Sequence, residues 1–290
     1  MKNNVISMLI NIWGTSGMIK NWLITGDCHS KVAERLEYIK NTMPEYKPEE
    51  TAVIILGDVG LNYHKTKHDW KNKHKAASYG YTLYCLRGNH EDRFSNSTTE
   101  IVYQHDPEVS GMIMYENEFP NIKYFLDWVN SYIIMGKKVL TIPGAYSVDK
   151  WYRLQNDWMW FPDEQLTAEE MADAEEEFEY GEFDLVLSHT CPYDWMPTDL
   201  FLNCVDQSTV DKSMELWLNK FKDKIDWGLW CFAHYHVDRI ERPHVEIFYN
   251  EVENLNDVIA RWEKYDTTGE LDWWLPKSGN FYMDVKGNSN

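Results

Sequence analysis

Positive charge and long apolar runs are both scarce in this chain of 290 residues. Lysine and arginine number 28 against 47 aspartates and glutamates, which gives a formal net charge of −19. Such a surface repels a phosphate backbone, so we expect no stable binding to duplex nucleic acid. No stretch approaches the roughly 20 consecutive apolar residues of a membrane-spanning helix, so we expect no membrane partner.

Cysteine is also sparse, and the five residues at 28, 85, 191, 204 and 231 are widely spaced. We therefore expect reduced thiols, with neither a disulfide framework nor a zinc knuckle. The most signal-like stretch, residues 5–13, contains Asn11 and lacks a small-residue cleavage pattern after it. These features predict a cytoplasmic protein.

The composition is that of a globular protein, because 43% of the residues are hydrophobic and 26% are charged. No linker or repeat divides the chain, so we predict one domain over residues 1–290. Residues 1–17 are interpreted as an N-terminal extension. Residues 250–290 are interpreted as a C-terminal segment that packs on the body, since Leu255, Val258 and Trp262 have helical spacing.

Short apolar runs that end at polar turn residues dominate the first third of the chain. They are residues 22–25, 52–56 and 81–86. Helical spacing of Val32, Leu36 and Ile39 between the first two runs predicts strand, helix, strand, which favours parallel α/β structure. A hairpin pattern at 131–142 and further runs at 183–188 and 227–232 indicate a second sheet. Helices are predicted from a capping box at Thr167 to about residue 180, and over 210–221.

Side chains with metal-binding atoms follow these runs at their C-terminal ends. They are Asp27, His29, Asp58, Asn89, His90, His189, His234 and His236. Because the C-terminal ends of parallel strands lie along one edge of a sheet, we expect these side chains to converge. Carboxylate, amide and imidazole donors without thiolate suit manganese, iron or zinc. The number of donors is sufficient for two divalent metal ions.

Five blocks in this order resemble the motifs of the calcineurin-like metallophosphoesterase superfamily. They are Gly26 to His29, Gly57 with Asp58, Gly88 to Glu91, Ser188 with His189, and Ala233 to His236. The segment 144–150, with Arg153 after it, is similar to a bacterial and phage-associated branch of these enzymes. The resemblance implies an α/β fold, a four-layer α/β/β/α sandwich of two mixed sheets with a dinuclear metal site at the strand ends.

The resemblance also implies a role for each matching residue. One ion would be held by Asp27, His29, Asp58 and His236, and the other by Asp58, Asn89, His189 and His234. Asp58 would bridge the ions, a hydroxide between them would attack phosphorus, and His90 would protonate the leaving group. Lys150 and Arg153 are candidates to bind the substrate phosphate.

We therefore predict a metal-dependent phosphohydrolase that cleaves small phosphomonoesters or phosphodiesters, with a nucleotide among the candidate substrates. Two alternatives within the class are a nuclease and a serine/threonine phosphoprotein phosphatase. The second block lacks the Asp-Arg-Gly extension of those phosphatases, which weakens that alternative. A non-catalytic metal-binding scaffold is the alternative from another class.

The remaining polar and aromatic residues receive structural interpretations. His64 and His68 are predicted to lie on a solvated helix, since no third ligand is apparent beside them. Arg87 is interpreted as a structural arginine. Glu91 and Asp92 are candidates to orient His90. The tryptophans at 151, 158 and 160 are interpreted as packing residues rather than as a base-stacking platform.

Overall fold

A computed structural model describes residues 19–97, 100–201 and 206–269. The N-terminal extension and the part of the C-terminal segment beyond residue 269 lie outside the described residues. The strands of the described part are β1 Asn21–Thr25, β2 Thr51–Ile55, β3 Thr82–Cys85, β4 Ile101–Asp106, β5 Gly111–Glu116, β6 Ile122–Tyr124, β7 Asn130–Ile134, β8 Lys137–Ile142, β9 Glu182–Ser188, β10 Asp226–Phe232, β11 Arg239–Arg242, β12 Val245–Ile247 and β13 Val252–Asn254. The α-helices are α1 Val32–Thr42, α2 Lys67–Ala77, α3 Lys150–Gln155, α4 Ala168–Phe178, α5 Ser213–Phe221 and α6 Leu255–Thr268.

The first sheet contains seven strands in the order β13, β1, β2, β3, β6, β5, β4. Strands β1, β2, β3 and β6 are parallel, whereas β13, β5 and β4 join antiparallel. Leu23 pairs with Val53, and Val53 pairs with Leu83, so the first three strands run level. Their C-terminal ends therefore lie side by side, which brings the polar residues that follow them to one edge.

The second sheet contains six strands in the order β11, β12, β10, β9, β8, β7. Strands β8, β9, β10 and β12 are parallel, and the hairpin partner β7 and the edge strand β11 are antiparallel. Val186 pairs with Leu140 on one side and Trp230 on the other. The ends of β9 and β10 are thus adjacent.

Alternation along the buried strands divides the interior into three layers of side chains. Ile24, Ile54 and Leu187 belong to the cluster between the two sheets. Leu23 and Val53 point the other way, into the cluster that includes side chains of α1. A third cluster joins the outer face of the second sheet to α4 and α5. The result is an α/β/β/α sandwich of two mixed sheets, as the resemblance implied.

Helix α6 packs on the cluster between the sheets. Leu255, Val258 and Trp262 are buried in that cluster, with 0%, 0% and 3% of their surface exposed. The indole Nε1 of Trp262 donates a hydrogen bond of 2.7 Å to Glu246 on β12. None of the helices in the described part of the chain is long and apolar enough to cross a membrane.

Several elements were not predicted from the sequence. Strands β4, β5 and β6 occupy residues that carried no assignment, and β11 to β13 follow the last predicted run. The short helix α3 was also missed. These elements depend on pairing or packing with distant segments, which local periodicity does not report. The capping box of α4 is confirmed, because Thr167 and Glu170 each accept a hydrogen bond from the other's backbone N–H.

Candidate metal centre

The predicted donors converge at the strand ends of the two sheets. Three overlapping groups have ligand atoms within 4.8 Å of one another: Asp27, His29 and His236; His29, Asp58 and His90; and Asp58, His189 and His234. Asp27, Asp58, Asn89 and His189 are buried and form the floor of the cluster. The side chain of His236 is 50% exposed, so the cluster is open to solvent on one side.

Asp27, His29 and His236 make one half of the cluster. The Nε2 atoms of His29 and His236 lie 2.9 Å apart, and His236 Nε2 lies 3.4 Å from Asp27 Oδ2. Asp27 is 1% exposed, and its Oδ2 has no hydrogen-bond partner. A buried carboxylate oxygen without a partner is costly, and a cation between these three side chains would relieve that cost.

His189 organises the other half of the cluster. Its Nδ1 lies 2.7 Å from the carbonyl oxygen of Leu56, which fixes the proton on that nitrogen. Its Nε2 then faces two oxygens, Oδ1 of Asn89 at 3.0 Å and Oδ1 of Asp58 at 3.4 Å. The ring of His234 lies 5.0 Å away, centroid to centroid. A lone pair and two acceptor oxygens repel one another unless a proton or a cation lies between them.

Asp58 lies between the two halves. Its Oδ1 is directed toward His189, and its Oδ2 lies 3.9 Å from Nδ1 of His29. The backbone N–H of His90 donates a 2.7 Å hydrogen bond to Oδ1, which holds the carboxylate in this orientation. Asp58 therefore presents one carboxylate oxygen to each half of the cluster.

The backbone at the cluster is left-handed at four of the predicted ligands. The φ angles are 44° at His29, 45° at Asp58, 70° at His234 and 54° at His236. Such conformations cost free energy for residues other than glycine and collect at functional sites. Ala233, which stands where the family motif has glycine, is not among the positive-φ residues. The methyl group is therefore tolerated there.

Two glycines of the motifs are required by close approach. A Cβ on Gly57, where φ is +100°, would lie 2.1 Å from Nδ1 of His189. A Cβ on Gly88 would lie 2.2 Å from Oδ1 of Asp58. Both distances are too short for any side chain, so these glycines let the turns after β2 and β3 approach the ligands.

Glu91 supports the turns rather than His90. Its Oε1 accepts hydrogen bonds from the N–H groups of Val59 at 2.9 Å and Gly88 at 3.2 Å. Asp92 pairs with the ammonium group of Lys65 and accepts a hydrogen bond from Asn96. The expectation that either carboxylate orients His90 is therefore wrong, because both are committed to other donors.

Ser147 and Glu164 orient Asn89, a function that the sequence did not predict. The amide nitrogen of Asn89 donates to Oγ of Ser147 at 3.0 Å, and that hydroxyl donates to Glu164 at 2.6 Å. The amide oxygen of Asn89 is thereby directed toward His189. The signal in the sequence was the segment 144–150, which was noted only as a family resemblance.

Arg153 is the partner of His90. Its Nη2 lies 2.6 Å from Nδ1 of His90 and also contacts Nε2, while its Nε donates to Asp149 at 2.8 Å. Only 2% of Arg153 is exposed. Because a guanidinium has donors and no acceptors, the nitrogen of His90 that faces it acts as an acceptor in a neutral ring. Tyr63 stacks on the same ring with 6.2 Å between centroids.

Comparison with known proteins supplies the family. The family model described as "Calcineurin-like phosphoesterase" matches residues 21–238, about three quarters of the chain. The chain belongs to the calcineurin-like phosphoesterase family. The resemblance is thereby confirmed. The family supports the prediction of a hydrolase that acts on phosphate esters. The bacterial and phage-associated branch stays a prediction.

Solved structures resemble the calcineurin-like chain weakly. The protein TT1561 of Thermus thermophilus is 11% identical, with a TM-score of 0.43, and covers 81% of this chain and 98% of its own. The phosphopantetheinyl hydrolase PptH of Mycobacterium tuberculosis is 13% identical, with a TM-score of 0.41, and covers 89% and 95%. Both TM-scores lie below 0.5. No curated protein sequence matches at a significant level.

The electrostatics of the cluster fit the divalent metals that calcineurin-like enzymes bind. Burial raises the pKa of Asp27 to about 8. Burial alone would raise the pKa of Asp58 as well, but the imidazoles of His90 and His189 hold it well below its usual value. Burial opposes a charge on His189, yet the carboxylate of Asp58 raises its pKa to about 9. With raised pKa values, Asp27 and His189 hold protons that bound metal ions would displace. The oxygen and nitrogen donors of the cluster suit such ions.

Lys150 lies among aromatic rings. Its Nζ is 4.1 Å from the ring centroid of Trp160 and 5.4 Å from that of Trp151. This is a cation–π arrangement, and the predicted contact of Lys150 with phosphate stays a prediction. Trp151 and Trp158 are 56% and 53% exposed, so neither lies in the core, and packing at the rim stays the prediction for both.

His64 and His68 have a third potential ligand in the structure. Asp69 joins them with ligand atoms within 4.8 Å, and its Oδ1 is buried without a hydrogen-bond partner. The expectation of no third ligand is therefore wrong. The prediction that both histidines lie on one helix is also wrong, since α2 begins at Lys67 and His64 precedes it.

Arg87 has the structural function that was expected. Its Nη1 donates to the carbonyl oxygen of Glu164 at 2.7 Å, and its Nε lies 3.6 Å from Oδ1 of Asp127. The side chain is buried and ties the turn after β3 to the segment before α4.

Proposed function

We propose that this protein hydrolyses small phosphomonoesters or phosphodiesters at a site that holds two divalent ions, manganese, iron or zinc. The observation that carries the proposal is the position of Asp58 between two groups of nitrogen and oxygen donors. Asp27, His29 and His236 would complete one ion's ligands, and Asn89, His189 and His234 the other's. When bound, the ions supply charge that offsets the phosphoryl oxygens and acidify a water molecule.

The buried floor and the open rim of the cluster have different tasks in this proposal. Asp27, Asp58 and His189 are buried at the strand ends, which supports preorganised binding of charge. His236 and His29 lie at the rim, where a phosphate ester can enter. In hydrolysis the oxygen of water bonds to phosphorus, the ester P–O bond breaks, and the alcohol leaves with a proton.

His90 is the proposed source of that proton. Its Nε2 lies 3.9 Å from Oδ2 of Asp58, so the ring faces the cluster. Burial lowers the pKa of His90 to about 4, and the Arg153 guanidinium acts in the same direction. A neutral ring still has one N–H, and the negative charge of a phosphate ester beside it favours the protonated form. Arg153 is therefore proposed to position His90 and to attract the phosphate.

The proposal is tested by elemental analysis together with hydrolysis of para-nitrophenyl phosphate and its bis ester. Asp58→Ala should lose both metals and turnover, whereas Asp199→Asn, at an exposed acid paired with Arg239, should keep them. About two metals per chain and turnover in the wild type are expected. Metal-loaded protein without turnover on either ester would favour the non-catalytic scaffold.

The type of substrate and the cellular location are also proposed. The ratio of rates on the two para-nitrophenyl esters separates a monoesterase from a diesterase. We propose a small ester, with nucleotides among the candidates, in preference to long DNA, because the chain carries a net charge of −19. A phosphoprotein substrate is disfavoured because the second block lacks the Asp-Arg-Gly extension of the serine/threonine phosphatases. A cytoplasmic location is likewise proposed from the sequence alone.

A further inference from the structure

A cavity of about 190 Å³ opens beside the metal-ligand cluster. His234 and His236 form part of its wall, so the ester substituent of a phosphoryl group bound at the cluster can extend into this cavity. Apolar side chains make up most of the remaining wall. They include Met196, Leu200, Phe201, Val210 and Tyr235. This apolar wall suits the organic part of a substrate better than its phosphate.

The charges around the cavity disfavour a second phosphate. Asp211 and Glu215 contribute two carboxyl groups, and Lys212 contributes one ammonium group. The ammonium donates a 2.7 Å hydrogen bond to the carbonyl oxygen of Gln207. With two carboxyl groups and one ammonium group, the wall supplies no excess of positive charge to hold an anion, which favours a neutral or cationic substituent.

The cavity fits a single ring. Cavities of about 150 Å³ lined by apolar side chains hold benzene, so this volume accommodates one ring and a small substituent. Phe201 and Tyr235 have parallel rings, with 13° between planes and 6.3 Å between centroids. Aromatic faces in this orientation pack well against another planar group.

Glu215 is the polar group in the wall that lacks a partner for one of its oxygens. It is 4% exposed, its Oε1 accepts a 2.7 Å hydrogen bond from Thr190, and its Oε2 is buried without a hydrogen-bond partner. Asp211 differs, because both of its oxygens accept hydrogen bonds, from Ser213 and Gln165. A buried acceptor without a partner costs free energy that a donor on a ligand would recover.

We infer that this cavity selects phosphate esters whose organic group is a single planar ring carrying an N–H or O–H donor, which binds Oε2 of Glu215. Glu215 is then a specificity residue for the proposed hydrolysis, on which this inference rests. Its contact lies on the organic group and away from the phosphorus. Selectivity can therefore be measured without any bond being broken.

The test uses two phosphonates whose C–P bond is not hydrolysed, 4-aminobenzylphosphonate and 4-methylbenzylphosphonate. The amino and methyl groups have similar size, and only the amino group donates a hydrogen bond. Titration calorimetry of the metal-loaded chain is done at pH 8, above the pKa of about 7 that burial gives Glu215, so that the carboxylate is charged. The amino compound should bind about tenfold more tightly, which is the contribution of one hydrogen bond to a charged acceptor. Glu215→Met should reduce the preference to less than twofold. Asp211→Asn is the matched control and should keep the tenfold preference.

Each outcome decides the inference. Equal binding of the two phosphonates by the wild type overturns it, and so does an unchanged preference in Glu215→Met. If that variant is unfolded by circular dichroism, Glu215→Gln replaces it, and the preference should fall at least threefold because the charge is gone. Selective binding without turnover of para-nitrophenyl phosphate would overturn the proposed hydrolysis and leave the cavity's selectivity standing. Turnover without selective binding would overturn the inference about the cavity and leave the proposed hydrolysis standing.

Discussion

At the scale of single residues, the candidate metal ligands differ from His90 in what their side chains contact. His90 shares a group of potential ligand atoms with His29 and Asp58, yet its ring nitrogens contact Arg153. A donor-only guanidinium at that position competes with any cation. We therefore propose that His90 assists the leaving group and does not hold an ion.

Replacement of His90 tests this assignment. His90→Ala should lower kcat by about 10²- to 10⁴-fold, the usual contribution of general acid catalysis, while elemental analysis finds the metal content unchanged. The loss should be larger for phenyl phosphate than for para-nitrophenyl phosphate, because the more basic phenolate needs the proton more. Loss of one metal from the variant would instead identify His90 as a ligand.

Glu215 makes stability depend on pH. Burial raises its pKa from 4.5 to about 7, so between these values the folded chain holds a proton that the unfolded chain has lost. Stability supplied by the protonated carboxyl is therefore present at low pH and is lost as the pH rises from about 4.5 to about 7. Glu215→Gln should flatten this decline and be more stable than the wild type at pH 8 by about 1 to 3 kcal/mol.

Urea denaturation at pH 5 and pH 8 measures the effect of Glu215→Gln. Asp211→Asn is again the control, since the pKa of Asp211 is lowered and its hydrogen bonds are satisfied. An equal decline in stability with pH for Glu215→Gln and the wild type would contradict the assignment to Glu215.

At the scale of elements, the strand-to-loop turns carry the ligands, and their conformation follows from specific contacts. The backbone N–H groups of Cys28 and His29 donate to the carbonyl oxygen of Asp58 at 3.0 and 2.7 Å, which joins the turns after β1 and β2. Glu91 joins the turns after β2 and β3 in the same manner. The ligands are thus positioned as one unit.

Gly57 tests how closely these turns must approach. Gly57→Ala should displace His189 from its hydrogen bond with the Leu56 carbonyl and lower kcat/KM by at least 100-fold, with one metal lost. Gly136→Ala is a matched control, because Gly136 also has positive φ, at +74°, but a Cβ there meets nothing within 4 Å. Both variants carry the cost of the left-handed conformation, about 1 to 2 kcal/mol, so only the clash differs. Equal activity of the two variants would contradict the close approach.

Elements with a clear local pattern of apolar residues could be predicted from the sequence, and elements without one could not. Strands β1, β2 and β3 were visible as apolar runs because both faces of a central strand are buried. Helix α3 was not visible, since four of its six residues are exposed and the one that is buried, Arg153, is of a type that usually lies at the surface. Its contacts with His90, Asp149 and the carbonyl oxygen of Met159 explain why that arginine is buried.

At the scale of the whole molecule, two sheets are joined by one internal cluster, and the ligands come from both. Asp27, Asp58 and Asn89 follow strands of the first sheet, whereas His189 and His234 follow β9 and β10 of the second. The relative position of the sheets therefore sets the distances within the metal site. Helix α6 contributes to that position through Trp262.

Removal of the Trp262 side chain tests the contribution of α6. Trp262→Ala should lower the free energy of unfolding by about 3 to 5 kcal/mol, because it leaves a large cavity in the cluster between the sheets. Trp151→Ala removes the same side chain at a position that is 56% exposed and should change the free energy of unfolding by less than about 0.5 kcal/mol. Urea denaturation measures both. Similar losses in the two variants would show that α6 does not stabilise the sandwich.

The sequence by itself determined the class of fold and which candidate ligands would converge, because the donor types, the glycines beside them and the buried strands are local properties of the chain. Only the tertiary structure decided which groups surround the ligands. Arg153 beside His90, Ser147 and Glu164 behind Asn89, and Glu215 in the neighbouring cavity come together from segments far apart in sequence. No periodicity encodes such contacts, since they depend on how two sheets and their loops pack in space.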